Sequence, residues 1–372
     1  MTVDGPRSTT PDVVDVVALG ESMVTFLPSR PGRLADVPSF ERAIGGAESN
    51  VACVLAAAGH SARWVGRVGA DGFGDHLVAA IGAYGVDVSA VRRDPARPTG
   101  IYFRTAGDRA TDAHEVAYYR AGSAASAMSV DTMDLDAIRS GRVLHLSGIT
   151  PALSADCLAL MRELTARRPG RPLVSFDVNH RPGLWRDAGD GPEVLLELAR
   201  GADLVFVGED EAWGLGGPEA VRAALPEPEL LVVKQGATGA TAFHGTDVTS
   251  VPALHVDVVA AVGAGDAFAA GFLSATLRDL PVRERLRHGH LMAAAALTVP
   301  GDLATPPPAR HPATAPHGAA SRRPSWIGHA DRLAALDDAA WGRLRLGPGW
   351  TQDGERPGDR TGEGADEEVR TP

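Results

Sequence analysis

The chain has 372 residues, enough for one large domain with appendages, and a formal net charge of −11. This acidic balance argues against a surface dedicated to nucleic acid or to anionic membranes. The two cysteines, Cys53 and Cys157, lie far apart, so they indicate neither a disulfide framework nor a zinc site. No apolar run reaches the roughly 18 residues of a membrane-spanning helix. We therefore expect a cytoplasmic protein with no nucleic-acid or membrane partner.

In chain order, residues 1–12 are expected to be a disordered leader, and 13–19 form a buried strand. Two irregular inserts, 23–44 and 99–121, carry short strands, and the second has the pattern of a hairpin. The segment between the inserts predicts helices, one of them at 51–58. Strands and helices thus alternate from the start of the chain.

Beyond the second insert, apolar strands continue to alternate with helices. The predicted strands are 143–147, 173–177, 204–207 and 230–234, and the predicted helices are 155–166, 193–200 and 218–225. Buried Leu and Val strands separated by helices predict an α/β fold, a doubly wound, mostly parallel sheet flanked by helices. Ligands of such folds bind outside the carboxyl ends of the strands.

The composition changes after Pro300. We assign one domain to 13–306 and interpret 307–330 as a Pro-rich linker. Apolar residues at helical spacing predict one helix within 331–349. The polar, Gly-rich remainder, 350–372, is expected to be disordered.

The sequence GAGD at 263–266 stands between a short apolar strand and a helix of small residues. Glycines at such a turn let the backbone fold closely around an anion, and the first N–H groups of the helix point at it. Two interpretations are open. Asp266 either caps the helix, or it accepts a proton from a hydroxyl that attacks a phosphoryl group held by Gly263, Ala264 and Gly265.

Other nucleotide and metal motifs do not fit. The only lysine, Lys234, is not part of a Walker loop. The GAG at 263–265 lacks the third glycine of a dinucleotide fingerprint, and no HExxH motif occurs. A Walker ATPase, a Rossmann dehydrogenase and a zinc hydrolase of this type are thereby disfavoured.

Four motifs in order resemble the PfkB, or ribokinase-like, family of carbohydrate kinases: GGAESNVA from Gly45, RVGADGFG from Arg67, DVNHR from Asp177 and GAGDAF from Gly263. The resemblance covers about 13–306. It implies that the two inserts form a small β-sheet lid, which often mediates homodimers or higher homo-oligomers, and that ATP and Mg²⁺ are used. It further implies a base, Asp266, an anion hole at Gly263, Ala264 and Gly265, and a nucleotide site that includes Asn179, Lys234, Gly236, Gly239, Gly263 and Gly265.

Within that family the chain is most similar to the 2-keto-3-deoxygluconate kinases, which implies a sugar-acid site made of Gly46, Asn50, Tyr102, Tyr118, Arg120, Arg181 and Asp266. A planar guanidinium binds a carboxylate through two charge-assisted hydrogen bonds, so both arginines suit an acid better than a neutral hexose. The alternatives are that the tyrosines fill the core of a hairpin and that the arginines are solvated surface charges.

Two departures from the family bear on catalysis. Members commonly have Asp and Thr at the positions of Ala260 and Ala261, and the Asp is associated with a monovalent cation, which makes such a cation doubtful here. The family's Asn-x-x-Glu, linked to magnesium, is present only as Glu211, with Gly208 in place of the amide. We expect an ATP-dependent sugar-acid kinase, with a neutral-sugar kinase of the fructokinase or ribokinase type, or a catalytically weak sugar-acid sensor, as alternatives.

Overall fold

The computed structural model describes residues 13–105, 115–185, 191–212, 216–303 and 325–351. In chain order, its strands are β1 (Val14–Leu19), β2 (Met23–Pro28), β3 (Phe40–Gly45), β4 (Ala62–Val65), β5 (Arg67–Gly69), β6 (Arg92–Asp94), β7 (Ile101–Arg104), β8 (Val116–Tyr119), β9 (Gly141–Ser147), β10 (Leu173–Asp177), β11 (Leu204–Gly208), β12 (Leu230–Lys234), β13 (Gly239–His244), β14 (Asp247–Pro252), β15 (His255–Val256) and β16 (Arg345–Leu346). Its α-helices are α1 (Ala47–Ala57), α2 (Gly72–Ala83), α3 (Leu135–Arg139), α4 (Ala155–Thr165), α5 (Gly191–Gly201), α6 (Pro218–Ala224), α7 (Ala264–Leu277), α8 (Val282–Leu297), α9 (Ser325–Ala334) and α10 (Asp338–Arg343). The predicted leader, most of the predicted linker and the predicted tail from 352 onward lie outside the described residues.

The main sheet has eight strands in the order β14-β13-β12-β11-β10-β9-β1-β4. The six strands from β12 to β4 are parallel, whereas β13 and β14 are antiparallel additions at one edge. The predicted doubly wound, mostly parallel sheet is confirmed. Because the parallel strands share one direction, the ends of β1, β9, β10, β11 and β12 meet at one edge.

Helices cover both faces of this sheet, and successive side chains of one strand enter different cores. In β1, Val16 and Ala18 pack into the cluster that includes α1, α7 and α8, while Val17 and Leu19 pack into the cluster that includes α4 and α5. All four side chains are fully buried. Complete burial of a Val or Leu side chain contributes about 1.5–3 kcal/mol, so β1 is firmly placed between the two layers.

The two inserts form the predicted lid, a separate four-stranded sheet in the order β3-β2-β7-β8. The second insert is the predicted hairpin, with Tyr102 of β7 directly opposite Tyr118 of β8. Phe26 of β2 stacks on Phe103 of β7 with ring centroids 4.6 Å apart, which joins the first insert to the second. The lid is thus one body made from distant parts of the sequence.

The prediction of one helix within 331–349 is wrong. α9 begins earlier, at Ser325, and ends at Ala334, and α10 begins after Asp337. The physical reason is a cap: the Asp337 side chain accepts a hydrogen bond of 2.7 Å from the Ala340 backbone N–H, which starts a new helix in the middle of the apolar pattern. Among the described helices, none combines the length and apolar composition needed to cross a bilayer.

Candidate active site

A cleft of about 330 Å³ lies at the carboxyl edge of the main sheet, with lid residues on its other side. Of the residues predicted for the site, the cleft is lined by Gly46, Asn50, Tyr102, Tyr118, Arg120, Asn179, Arg181, Glu211, Lys234, Gly263, Ala264, Gly265 and Asp266. Gly236 and Gly239 are not among the lining residues; Gly236 lies in the β12–β13 turn, and Gly239 is the first residue of β13. The structure therefore gathers side chains that are more than 200 positions apart in the sequence.

The GAGD turn has a backbone that only glycine adopts without strain. Gly263 has a φ of +72°, and a Cβ added to it would lie 2.3 Å from the carbonyl oxygen of Asp302. α7 begins directly after it and has no side-chain cap. The first N–H groups of the helix and the positive end of its dipole therefore face the cleft, as an anion site requires.

Asp266 does not cap this helix. Its Oδ2 accepts a hydrogen bond of 2.9 Å from Nδ2 of Asn50 in α1. Burial raises the pKa of Asp266 to about 7, and the nearby Asp177 charge acts in the same direction, against the opposing effects of Asn50 and Lys234. A carboxylate with a pKa near neutrality can accept a proton efficiently at physiological pH.

Asp177 and Lys234, at the ends of β10 and β12, form a buried ion pair of 2.7 Å. Burial alone would lower the pKa of Lys234, but the carboxylates of Asp177, Glu211 and Asp266 together outweigh it and the pKa is raised. The ammonium group therefore stays charged. A Cβ on Gly265 would lie 3.5 Å from Lys234 Nζ, so this positive charge stands next to the turn.

Two oxygens beside this pair have no hydrogen-bond partner although they are buried: Oδ1 of Asp177 and Oδ1 of Asn179. Asn179 also has a φ of 41°, in the left-handed region that a non-glycine residue rarely occupies. Unsatisfied polar atoms and backbone strain tend to cluster where a ligand completes the site.

The two arginines predicted to bind a carboxylate both line the cleft, and each already has an acidic partner. Arg120, which is largely buried, pairs with the buried Glu21, whereas Arg181 is about half exposed and pairs with Glu211 at 3.0 Å. Burial raises the pKa of Glu21, and Arg120 opposes that rise. An acidic ligand would therefore share each guanidinium with a carboxyl group of the protein.

Glu211, the predicted metal residue, uses both of its oxygens. Oε1 accepts from Arg181 at 3.0 Å and Oε2 accepts from the Gly208 backbone N–H at 3.1 Å. Within the described ranges, no group of three or more His, Cys, Asp or Glu residues is arranged to hold a metal ion. A divalent cation here would need a ligand such as a triphosphate to supply most of its oxygens.

Tyr102 and Tyr118 were predicted either to contact the substrate or to fill the core of the hairpin, and they differ in burial. Tyr102 is buried, and its hydroxyl donates to Oδ2 of Asp302 at 3.4 Å, while Tyr118 is 53% exposed and lies beside Arg120. Tyr118 is therefore not a core residue, and Tyr102 is buried with its polar end in the cleft.

The sequence did not point to three charged residues of the cleft: Glu21, Arg104 and Asp302. Arg104 in the lid pairs with Asp302 at 3.0 Å. Glu21 follows β1 directly, so its place at the end of a buried strand could have identified it. Asp302 lies after α8 in the region of changed composition, where no local pattern marks it.

Comparison with known proteins agrees with this geometry. Residues 14–309 match the model of the pfkB family carbohydrate kinases. The 2-dehydro-3-deoxygluconokinase of Bacillus subtilis is 35% identical over 303 residues, which cover 78% of this chain and 91% of that protein. A chloroplastic protein of Arabidopsis thaliana named probable fructokinase-6 is 33% identical over 297 residues, 76% of this chain and 77% of that protein.

Solved structures show the same relationship. The PfkB protein from Polaromonas sp. JS666 superposes with a TM-score of 0.70 at 38% identity, covering 76% of this chain and 95% of that one. A sugar kinase from Pyrococcus horikoshii in complex with ATP has a TM-score of 0.69 at 25% identity, covering 78% and 95%. The ribokinase-like fold is thereby confirmed, and this chain belongs to the pfkB family of carbohydrate kinases.

Proposed function

We propose that this kinase transfers the γ-phosphate of ATP to a primary hydroxyl of a sugar acid, with 2-keto-3-deoxygluconate as its substrate. The observation that carries the proposal is that one cleft holds Asp266, the uncapped turn at Gly263 and the two arginines Arg120 and Arg181. The similarity to the Bacillus subtilis 2-dehydro-3-deoxygluconokinase supports the sugar acid, and the ATP complex of the Pyrococcus horikoshii protein supports the nucleotide.

The substrate hydroxyl would lie at the Asp266 carboxylate, which takes its proton as the hydroxyl oxygen bonds to the γ-phosphorus. The bond from that phosphorus to the β–γ bridging oxygen breaks, and ADP leaves. Backbone N–H groups at Gly263, Ala264 and Gly265 stabilise the negative charge on the moving phosphoryl group, with Lys234 adding a positive charge beside the turn. The lid over the sugar excludes water, which would otherwise compete as the acceptor.

Mg²⁺, when bound, neutralises charge on the triphosphate. The unsatisfied Oδ1 atoms of Asp177 and Asn179 fit a hydrated cation held chiefly by phosphate oxygens. Asp177 and Glu211 are the acidic residues that we assign to it, directly or through water.

The preference for an acid is tested with Arg181→Met. Arg181 is half exposed, so its loss should cost little stability, whereas loss of a charge-assisted hydrogen bond costs about 1.5–3 kcal/mol, or about 10- to 150-fold in kcat/KM for the acid. We expect that loss for 2-keto-3-deoxygluconate and less than about a threefold change for fructose. The measurement is ADP release over a panel of sugars and sugar acids with both proteins.

Arg162→Met is the matched control for Arg181→Met, because Arg162 is a similarly exposed arginine that pairs with Glu197 outside the cleft.

The competing candidate function is a neutral-sugar kinase, which the similarity to the Arabidopsis thaliana protein favours. If wild-type enzyme used fructose and the acid equally well, the sugar-acid assignment would be discarded. ADP release close to background on every sugar, with the acid still bound, would favour the sensor.

We also propose that the enzyme works without a monovalent cation. Ala260 has no oxygen in its side chain, and its backbone N–H donates to the carbonyl of Leu297. The kcat measured with tetramethylammonium as the only monovalent cation should lie within about twofold of the value in potassium. Strong potassium activation would refute this.

Assembly through the lid stays a prediction. β8 is an edge strand of the lid, and Tyr119 on it is 64% exposed. Light scattering of wild-type protein and of Tyr119→Lys would test it, because a charge at the centre of such an interface should shift the oligomer toward monomer.

A further inference from the structure

Residues 325–351 lie beyond the family match at 14–309, yet they fold back on the kinase domain. α9 places Ile327, Ala330 and Leu333 in the apolar cluster that also contains α7 and α8. In α10, Trp341 is almost completely buried. This C-terminal segment, defined here as 325–351, is therefore part of the core.

Buried polar contacts fix the position of the segment. Arg287 of α8 is 4% exposed; its Nη1 donates to the carbonyl of Ala334 at 2.8 Å and its Nη2 pairs with Asp338 at 2.8 Å. The same guanidinium stacks on Trp341, 4.8 Å from the ring centroid. Trp341 Nε1 donates to the carbonyl of Pro252 at 3.0 Å, at the end of β14. These bonds connect α8 to the end of β14, and β15 follows β14 in the chain.

The last part of the segment pairs with the approach to that turn. β16 runs parallel to β15, with Leu346 opposite Val256, and the Asp257 backbone N–H donates to the carbonyl of Leu346 at 2.9 Å. The strand predicted before the turn, β15, is only two residues long, His255 and Val256, and the apolar residues that follow it, Val258 and Val259, are 45% and 46% exposed. The approach to Gly263 is then held by the backbone N–H of Val259, which donates to Leu297 at 2.8 Å.

We propose that the C-terminal segment is a positioning element for the anion-hole turn, with Leu346 as its principal contact. The Leu346 carbonyl holds β15 through the bond from the Asp257 N–H, and the Leu346 side chain, 6% exposed in the apolar cluster, anchors β16. This contact limits the conformations available to 257–262. Without that contact the turn would still form, but its N–H groups would no longer converge on a single bound anion. A misplacement of about 1 Å at a reacting group can cost about 100-fold in rate. The inference rests on the proposed role of the turn in phosphoryl transfer.

The test compares Leu346→Ala with Leu333→Ala. Both leucines belong to the C-terminal segment and are similarly buried, at 6% and 8% exposed, but Leu333 belongs to α9. We expect similar decreases in Tm. Assayed well below either Tm, Leu346→Ala should lose about tenfold in kcat with an unchanged sugar KM, and Leu333→Ala should stay within about twofold of wild type. Hydrogen exchange of 254–263 should increase only in Leu346→Ala.

Unchanged hydrogen exchange at 254–263 in Leu346→Ala, or the same loss of kcat in both variants, would overturn the proposal. If either alanine variant fails to fold, Leu346→Val and Leu333→Val make the same comparison with one methylene removed. Failure of the proposed function is distinguishable: increased exchange at 254–263 together with wild-type kcat would mean that the segment positions a turn that does not limit catalysis.

Discussion

Asp266→Asn is expected to lower kcat by about 10²- to 10⁴-fold, the contribution of a positioned general base. The amide has nearly the same shape as the carboxylate but cannot take the proton from the sugar hydroxyl. KM for the sugar should change by less than about threefold, because the oxygen of the introduced amide can still accept the hydrogen bond from the Asn50 side chain. Steady-state kinetics on wild type and variant measure both constants.

Asp247→Asn is the control, since Asp247 is an exposed carboxylate at the start of β14, outside the cleft. Near-normal turnover in Asp266→Asn would remove Asp266 from the mechanism.

The wild-type pH profile is an independent check of Asp266 as the base. With the pKa of Asp266 raised to about 7, the base is protonated below that pH, so kcat/KM should rise about tenfold per unit on the acid side and level off above about 7. A flat profile from about pH 5.5 to 8 would contradict the assignment.

Gly263→Ala is expected to have the second-largest effect, a decrease in kcat of about 10²- to 10³-fold, comparable to the loss of one anion-hole donor. Any residue with a Cβ is strained at a φ of +72°, and the added atom would lie 2.3 Å from the Asp302 carbonyl oxygen. The backbone must therefore move, and the N–H groups of the turn move with it. Kinetics and Tm are measured on the same preparation.

Gly72→Ala provides the comparison for Gly263→Ala. Gly72 also lies in the first turn of a helix, α2, but it has an ordinary φ and nothing within 4 Å of its added Cβ. The Gly72→Ala variant should therefore keep the wild-type kcat. If Gly263→Ala behaved like Gly72→Ala, the turn would not be the anion hole.

The sequence was sufficient for the main sheet and for locating many residues that line the candidate cleft, because both depend on local patterns. Buried strands such as β11 have continuous apolar sequences, which predict a parallel sheet. Because the carboxyl ends of parallel strands meet at one edge, Asp177 and Lys234 are then predicted to lie there. The GAGD turn was visible because glycine and a following helix are adjacent in the chain. The roles proposed for the lid residues come from the resemblance to a family, because no local pattern indicates them.

Pairings across the fold were beyond sequence reasoning. The ion pair of Arg104 with Asp302 joins two distant parts of the chain. The ion pair of Arg120 with Glu21 likewise depends on how the lid lies against the end of β1. The C-terminal helices show a different limit. Their apolar spacing continues across Asp337, so periodicity alone could not reveal that a cap divides the segment.

The Arg104–Asp302 contact has a mechanical consequence. Arg104 belongs to the lid, whereas the backbone of Asp302 lies against Gly263, so Asp302 contacts both the lid and the GAGD turn. If the proposed function is correct, a sugar that moved the lid would also displace the backbone behind the turn, where the phosphate of the nucleotide would bind. We therefore expect the binding of the two substrates to be thermodynamically coupled, and by reciprocity each would alter the affinity of the other by the same factor.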